Sequence, residues 1–270
     1  MTGSVIDNEK PSLREAFATQ RTVLHALILR ELQGRYGRYN IGFMWMVFEP
    51  LILASIVTAI HVFRPDHFGS SEIQPYPFTV IGYCLLIVFR SNFGRSSGAL
   101  QDALTLMHHA HITPTDVVTA RVVCDTFGAL AAFTILMSLG ILLGLAELPA
   151  RPLYLFFAIF QIIVWSYGLS MVVAAYSHRY HVLHNFVQPI SYFSFPLSGA
   201  FFTMNFLPSW ARGYMAWNPM AGMFETARYG QFESASADYM FPGYVIAVCI
   251  LVLYWGYFSL RHVRKDIHVV

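Results

Sequence analysis

The sequence predicts an all-α integral membrane protein with six transmembrane helices, and three observations support this class. First, 56% of the 270 residues are hydrophobic and only 12% are charged, whereas soluble domains carry about 25% charged residues. Second, six mostly apolar stretches approach the roughly 20 residues that a helix needs to cross a bilayer. Third, Lys and Arg are distributed unevenly among the segments that join these stretches. Lipid can cover an apolar surface that a soluble core of this size could not bury.

The six predicted spans cover residues 41–63, 76–93, 115–146, 152–177, 186–206 and 241–260. The first contains Glu49 and Pro50, and an ionisable group inside a span is expected to face the bundle or water. The second is the shortest, need not cross straight, and contains Arg90, the natural partner for Glu49. Arg121 and Asp125 stand one helical turn apart at the entrance of the third span and are expected to pair.

The distribution of basic residues predicts the orientation of the chain. Cytoplasmic flanks carry the excess of Lys and Arg, and 13 of the 17 such residues fall on the side of both termini. We therefore expect residues 1–40 to be a cytoplasmic N-terminal region, 41–260 the transmembrane domain, and 261–270 a basic cytoplasmic tail. The net charge of +2 and the lack of a dense basic run argue against nucleic acid as a partner.

Three segments outside the spans carry their own patterns. Residues 12–32 predict an amphipathic helix in the cytoplasmic interface, with one apolar face formed by Leu13, Ala16, Phe17, Leu24, Leu27 and Ile28. Residues 97–109 predict a short helix in the cytoplasmic loop before the turn at Thr113-Pro114. Residues 206–240 combine aromatics with helix breakers, which favours short re-entrant or interfacial helices on the external side.

No sequence pattern assigns catalysis, a cofactor or a metal to this chain. The phosphate-binding pattern G-x-x-x-x-G-K-[ST] does not occur, and the only lysines are Lys10 and Lys265, so ATP would have to bind another subunit. Two histidine clusters lack nearby cysteines and have few carboxylates, so we predict no metal site; they are His108, His109, His111 and His178, His181, His184. The cysteines are interpreted as small buried hydrophobes: Cys84, Cys124 and Cys249.

Three stretches together resemble the permeases of type-2 ABC exporters, above all those for capsular polysaccharide, with the O-antigen permeases next. Residues 29–38, continuing through Trp45 and Glu49-Pro50, resemble the entry to the first span of these permeases. Residues 217–219 with Glu225 and Arg228 resemble their second signature, before the last span. Residues 113–121 resemble the stretch that leaves their coupling loop. Histidines stand at 108, 109 and 111 where the family tends to carry basic residues, and Gly222 stands where it often carries a histidine.

The resemblance implies the type V exporter fold and a homodimer that works with two copies of a separate ATPase, which holds ATP and Mg²⁺. It implies a lipid-linked polysaccharide as cargo, a bacterial inner-membrane location, and as envelope partners a periplasmic co-polymerase and an outer-membrane exporter. The implied ATPase-coupling residues are Arg30, Arg35, Leu104, Met107, His108 and Arg121. Because a polar polymer needs polar partners and aromatic faces along its path, the pathway candidates are Trp45, Glu49, Arg90, Tyr192, Phe195, Trp217, Glu225 and Arg228. Glu225 and Arg228, at spacing i, i+3, are also expected to be partly structural.

Three alternatives stay open at this point. The same fold could export an O-antigen, a lipid or a drug. An ion-driven secondary transporter would usually contain inverted repeats with paired broken helices, and no repeat is evident. An intramembrane hydrolase could use Ser198, but the histidines lie toward the opposite, cytoplasmic side of the predicted fifth span.

Overall fold

The computed structural model describes residues 12–36, 48, 51–52, 55–56, 73–109 and 112–267, and all regular structure within these ranges is helical. Two 3₁₀ turns, Gln101–Ala103 and Met204–Phe206, accompany the α-helices. The α-helices are α1 (Leu13–Tyr36), α2 (Pro75–Ser96), α3 (Leu104–His109), α4 (Pro114–Leu142), α5 (Pro152–Arg179), α6 (His181–Leu197), α7 (Ser209–Met215), α8 (Pro219–Gln231) and α9 (Pro242–Ile267).

Four of these helices, α2, α4, α5 and α9, are long and apolar enough to cross a membrane. They coincide with the second, third, fourth and sixth predicted spans. Most of the first predicted span, including Trp45 and Glu49, lies outside the described residues. Its described positions are helical, and Leu51 packs against the main apolar core.

Proline begins five of the helices, because its fixed φ and missing N–H suit the first helical position. These residues are Pro75, Pro114, Pro152, Pro219 and Pro242. The start of α4 is also capped: the Thr113 hydroxyl accepts a hydrogen bond from the Asp116 N–H, and the Asp116 carboxylate accepts one from the Thr113 N–H. This capping box satisfies two N–H groups that the helix cannot.

The helix α2 lies at the centre of the bundle, against α4, α5 and α6, and is the most enclosed of the four apolar helices. Its polar side chains bond to neighbouring helices: the Asn92 amide donates to the hydroxyls of Thr126 (3.0 Å) and Ser166 (3.1 Å). The weak hydrophobicity of the predicted second span thus follows from its central position. The helix needs fewer apolar side chains because little of it can meet lipid.

Small residues let α5 and α9 approach closely. A Cβ atom at Gly256 would lie 2.6 Å from the carbonyl oxygen of Gly168, which is too close for any other residue without a shift of the helices. Such contacts are typical of helix pairs in membranes, where backbone proximity replaces hydrophobic collapse.

The fifth predicted span is shorter than expected. We predict one stretch over 186–206, but α6 ends at Leu197 after 17 residues and contains two prolines, Pro189 and Pro196. The chain then turns at Gly199, whose φ of +80° is accessible to glycine at little cost. The helical part therefore falls below the roughly 20 residues of a straight span.

The amphipathic helix predicted near the N-terminus is α1, which packs against α4. Only the C-terminal part of its apolar face is covered there: Leu27 is buried, and Leu24 and Ile28 are half-buried. Phe17 is 75% exposed, so the N-terminal part of the face has no cover from the described residues. The side chains of Leu13 and Ala16 lie outside the described part of the chain.

Candidate functional site

A network of charged groups around Arg121 joins four segments at the α1 end of the bundle. The Arg121 guanidinium forms ion pairs with Glu31 of α1 (Nε to Oε1, 3.1 Å) and with Asp102 of the 3₁₀ turn (Nη2 to Oδ2, 3.0 Å). Its Nη1 also donates a hydrogen bond to the carbonyl oxygen of Arg95 at the end of α2 (2.9 Å). One side chain of α4 therefore contacts α1, α2 and the turn. We call Glu31, Arg95, Asp102, Arg121 and Asp125 the Arg121 network.

The expected pairing of Arg121 with Asp125 is wrong. Asp125 pairs instead with Arg95 of α2 (3.0 Å), and the Asp125 side chain is only 1% exposed. Both side chains leave their own helix because the neighbouring segments offer opposite charges nearby. Arg30 extends the network from α1, since its Nη2 donates to the carbonyl oxygen of Asp102 (3.0 Å).

Two further contacts attach α1 to α4. The Gln20 amide donates a hydrogen bond to the Asp116 carboxylate, which belongs to the capping box of α4. The Cys124 thiol donates to the carbonyl oxygen of Ile28 at 3.8 Å. Of the predicted coupling residues, Arg30 and Arg121 both contact Asp102. The side chain of Arg35 lies outside the described part.

We expected one helix over 97–109. The segment instead begins with a turn at 97–100 and continues through the 3₁₀ turn Gln101–Ala103 into the short α3. Met107 is 3% exposed and packs in a core cluster with Val118 and Val122 of α4. Leu104 is half-buried against the same cluster. Met107 is thus a poor direct docking residue, because it faces inward and holds α3 on the bundle. The side chain of His108 lies outside the described part of the chain.

The histidines of the second predicted cluster lie at the junction of α5 and α6: His178 is in the last turn of α5, and His181 and His184 are in the first turn of α6. The rings of His181 and His184 stack with centroids 6.2 Å apart, and the His181 Nδ1 lies 3.2 Å from the amide nitrogen of Gln101. Among the described residues, no three side chains from His, Cys, Asp or Glu form a group that could hold a metal ion. The contact with Gln101 links these rings to the turn of the Arg121 network.

Arg228 of α8 occupies the opposite end of the bundle and is only 3% exposed. Its Nη2 donates to the carbonyl oxygens of Gly199 (2.5 Å) and Ala200 (2.9 Å), and its Nη1 donates to that of Phe202 (2.7 Å). The same Nη1 pairs with the Glu225 carboxylate at 2.9 Å. We call Arg228, Glu225 and the turn 199–202 the Arg228 clamp.

The clamp supplies hydrogen-bond donors to backbone carbonyl groups of the turn after α6. After a helix ends, its last carbonyl groups and those of the following turn need donors, and water is scarce in a buried position. Arg228 supplies them, and its guanidinium also lies 4.4 Å above the ring of Phe78. Burial lowers the pKa of Arg228 from its ordinary value, while the Glu225 carboxylate opposes that shift. Among the described residues, Arg228 thereby acts as a structural residue, and its 3% exposure leaves almost no surface for a passing ligand.

Residues 217–219, part of the second signature, include the N-cap of α8, which lies beside the Arg228 clamp. Asn218 is the N-cap of α8, where its Oδ1 accepts from the Met220 N–H (3.0 Å), and its amide donates to the carbonyl oxygen of Leu197 (2.6 Å). Trp217 before it is 74% exposed and meets Tyr244 edge-on at 6.0 Å. Sequence reasoning missed the role of Asn218, although Asn before Pro is a recognisable helix-start signal.

A third group lies where α6 crosses α2. The Arg90 guanidinium lies 4.4 Å above the ring of Tyr192, and its Nε donates to the hydroxyl of Ser191 at 3.4 Å. Phe195 stacks on Phe201 with centroids 4.6 Å apart. Two predicted pathway residues, Arg90 and Tyr192, therefore meet, and Phe195 lies three residues further along α6. We call Arg90 of α2 together with Tyr192 and Phe195 of α6 the Arg90 face; the suggested partner Glu49 lies outside the described residues.

Much of α6 has no cover from the rest of the described chain. Only Val187 and Ser191 are buried on this helix, and its large side chains are exposed by 51–72% at Phe186, Ile190, Tyr192, Phe193 and Leu197. A contiguous apolar surface of this kind marks a contact with lipid or with another protein chain.

Comparison with known proteins matches nearly the whole chain. Residues 22–232 match the family described as "ABC-2 type transporter". The capsule polysaccharide export inner-membrane protein CtrC of Neisseria meningitidis serogroup B is 30% identical, over 96% of this chain and 97% of that protein. The capsule polysaccharide export inner-membrane protein BexB of Haemophilus influenzae is 28% identical over the same shares. The polysialic acid transport protein KpsM of Escherichia coli is 26% identical, over 94% of this chain and 97% of that protein.

Proposed function

The chain belongs to the ABC-2 type transporter family, and from this premise we propose that it is the membrane permease subunit of an ATP-driven exporter of capsular polysaccharide. The observation that carries the proposal is the similarity to capsule export proteins over 96% of the chain. Similarity of this extent includes both ends of the bundle and the loops between its helices. The proposed cargo is a lipid-linked polysaccharide.

The physical need for such a protein is simple. A polysaccharide carries many hydroxyl groups, and each would lose hydrogen bonds with water inside hydrocarbon. A channel must replace these bonds without binding the polymer tightly at one point. Four long apolar helices provide a frame in the membrane, while Arg90 and the aromatics of α6 provide polar and aromatic contacts.

We propose that residues 41–63 and 186–206 complete a set of six spans with both termini in the cytoplasm of a bacterium and the spans in its inner membrane. Residues 1–40 and 261–270 then lie in the cytoplasm. The excess of Lys and Arg on that side supports this orientation. In the fifth span, α6 and the turn held by the Arg228 clamp together supply the length that α6 lacks. The helices α7 and α8 would then re-enter the membrane from the external side, which the burial of α8 favours.

We further propose that two copies of the chain form a channel of twelve helices. The exposed aromatic side of α6 supports this assembly, because a second copy would cover it. Arg90, Tyr192 and Phe195 would then line the path, together with Trp45 and Glu49 of the first span and Trp217 at the external end. Glu225 and Arg228 would support the path by holding its turn.

The chain contains no phosphate-binding loop, so ATP and Mg²⁺ would bind a separate ATPase, two copies of which would serve the dimer. The Arg121 network supports α1 and the segment 97–109 as the coupling region, because it ties both to α4. Arg30, Arg121 and Leu104 would transmit motion within this region. Arg35 and His108 are the proposed contacts with the ATPase, and Met107 would anchor α3 from inside.

A polymer that leaves the inner membrane must still cross the rest of the cell envelope. For this chain we propose a periplasmic co-polymerase and an outer-membrane exporter as further partners. They would meet the external end formed by α7, α8 and the loop after α8.

Deletion of the gene tests the function directly. We expect the deletion strain to lose surface polysaccharide and to accumulate polymer inside the cell, and the wild-type gene to restore the surface polymer. Staining of intact and permeabilised cells measures both pools. Unchanged surface polysaccharide, together with a new sensitivity to drugs, would instead support a small-molecule exporter of the same family.

A further inference from the structure

An open polar cavity lies at the α8 end of the bundle, apart from the Arg228 clamp and the Arg90 face. It has a volume of about 590 Å³. Side chains from the start of α2, the loop before α5 and the end of α8 line it, among them Gln74, Glu147, Leu148, Gln231, Phe232 and Glu233. The proposed path and coupling region do not use this cavity, although the loop after α8, which the envelope partners would meet, supplies part of its wall.

Hydrogen bonds between its walls give the cavity a fixed form. The Gln231 amide nitrogen donates to the carbonyl oxygen of Glu147 at 2.8 Å. The Gln74 amide donates to the Glu147 carboxylate at 3.1 Å and accepts from the Glu147 N–H at 3.2 Å. The backbone N–H of Ala150 donates to the backbone carbonyl oxygen of Gln231 at 3.2 Å. Three separate segments are thereby joined around one space.

One buried polar atom in this wall points to a ligand. Gln231 is only 4% exposed, and its Oε1 has no hydrogen-bond partner among the described residues. Leaving a buried acceptor unpaired costs about 1–3 kcal/mol. The other polar side chains at the cavity are the carboxylates of Glu147 and Glu233, the Gln74 amide, which already bonds to Glu147, and the Ser234 hydroxyl, which can donate or accept. The unpaired Oε1 and the two carboxylates are acceptors, so a ligand that binds them must bring hydrogen-bond donors.

The charge of the cavity narrows the class of ligand. Among the described residues, two carboxylates line the cavity and no Lys or Arg does, so an anionic group would be repelled. The nearby Arg151 is engaged elsewhere: it donates to the carbonyl oxygens of Tyr229 (3.0 Å) and Phe232 (3.2 Å) and lies above the Tyr229 ring. Neutral hydroxyl groups fit the acceptors, and Leu148 and Phe232 offer apolar surface for the C–H faces of a sugar ring.

We propose that this cavity is a binding subsite for uncharged sugar units of the exported polymer. The volume falls in the range of about 300–1,000 Å³ that is usual for small-molecule sites. The inference rests on the proposed function and sharpens it, because it requires neutral hexose or N-acetylhexosamine units in the cargo. Its position at the end opposite the Arg121 network makes it a site for polymer that has passed the membrane.

Saturation-transfer NMR on the full-length chain in lipid nanodiscs tests the proposal. The probes are N-acetylglucosamine and methyl β-glucoside, which are neutral, and glucuronate, which is anionic. We expect both neutral probes to receive saturation and glucuronate to bind at least about tenfold more weakly, because its carboxylate meets Glu147 and Glu233. Absence of saturation in the neutral probes, or equal binding of glucuronate, would overturn the subsite.

Matched variants locate the binding. Gln231→Leu should abolish saturation of the neutral probes, but it also removes the bond to Glu147. Glu233→Gln is therefore the second variant. It should leave the binding of the neutral probes unchanged and strengthen the binding of glucuronate several-fold. Asp238→Asn is the control, because it removes one charge from the same loop without lining the cavity. Neutral binding that survives Gln231→Leu, glucuronate binding unchanged in Glu233→Gln, or capture of an oligolysine peptide in place of sugar would each contradict the proposal.

The assay uses neither the ATPase nor transport. Absence of sugar binding by the wild-type chain, when that chain still supports surface polysaccharide, would remove the subsite and leave the proposed function intact. Failure of the deletion strain to lose surface polysaccharide would remove the proposed function whatever the NMR result.

Discussion

Arg121 and Arg228 each make several contacts, yet they hold the two ends of the bundle in different ways. Arg228 is 3% exposed and donates mainly to backbone carbonyls of one turn. The Arg121 side chain is 13% exposed, and its ion pairs reach side chains of two other segments, Glu31 and Asp102. The Asp102 side chain is itself 64% exposed.

The difference separates a fixed region from an adjustable one. A buried arginine bound to backbone cannot change partners without leaving polar groups unpaired, which is costly. Ion pairs between partly exposed side chains contribute little stability and can exchange partners with water. The Arg228 clamp therefore suits a rigid end of the bundle, which is the external end in the proposed orientation, and the Arg121 network suits the end at which a partner would drive motion.

The largest expected effect is the loss of the clamp. Arg228→Met should destabilise the protein by about 3–5 kcal/mol, because three backbone carbonyls and the Glu225 carboxylate lose a buried donor. Thermal unfolding of the purified protein in detergent measures the effect. Arg212→Met is the control: Arg212 also donates to backbone carbonyls, of Asn205 and Leu207, but is half-buried. Equal losses in the two variants would remove the distinction between a rigid clamp and an ordinary surface contact.

A second variant tests the rigidity of the same turn from the side of α2. A Cβ atom at Gly82 would collide with the carbonyl oxygen of Ala200, one of the acceptors of Arg228. Gly82→Ala should therefore cost about 1–3 kcal/mol through displacement of the turn, measured by the same unfolding assay. Gly94→Ala is the matched control on this helix, since its Cβ would meet only the flexible side chain of Gln188. Unchanged thermal stability of Gly82→Ala would mean that the turn moves easily. That result would contradict the contrast between a rigid Arg228 clamp and an adjustable Arg121 network.

The Arg121 network should respond in the opposite way, with little loss of stability and a large loss of coupling. Arg121→Gln should cost about 1 kcal/mol or less in unfolding free energy. In a complex with its ATPase, the same variant should reduce export several-fold. A double-mutant cycle with Glu31→Gln should yield an interaction energy of about 0.5 kcal/mol or more, because the two residues are in contact. Strong destabilisation with normal export would place Arg121 with Arg228 as a structural residue.

The smallest effect on stability is expected at the Arg90 face. Tyr192→Leu removes a cation–π contact worth about 0.5–1 kcal/mol at an exposed site, so the unfolding midpoint should barely change. Surface polysaccharide should nevertheless decrease if Arg90 and Tyr192 line the path. Phe156→Leu is the control, because Phe156 is a comparably exposed ring, at 68%, that lies on α5 and outside the proposed interface. Equal export by both variants would leave the Arg90 face with a packing role only.

The sequence predicted the fold well where one physical rule dominates. Four spans follow from apolar length alone, and the helix starts at Pro114 and Pro152 follow from proline geometry. The end of α6 could not be predicted in the same way. Residues 198–206 are apolar enough to continue a span, but the chain turns at Gly199, and Arg228 donates to the carbonyl oxygens of that turn.

The candidate site was less predictable, because its contacts connect residues far apart in sequence. Local spacing favoured Arg121 with Asp125, whereas the actual partners of Arg121 are 19 and 90 residues away, at Asp102 and Glu31. Met107 was expected on a docking surface because its helix lies in a loop, but the fold turns that side chain inward. The pairing of Arg90 with Tyr192 depends on how α2 and α6 cross, which no periodicity within either helix encodes.

The central claim is that this chain forms the ATP-driven path of a polysaccharide, and transport in vesicles tests it most directly. The chain and its ATPase would be reconstituted in inverted vesicles, and polymer protected inside the vesicles would be measured with and without ATP. We expect protected polymer to accumulate only with ATP and only when this chain is present, and Arg121→Gln to reduce it. Active ATP hydrolysis without any polymer uptake by the wild-type complex would contradict the claim.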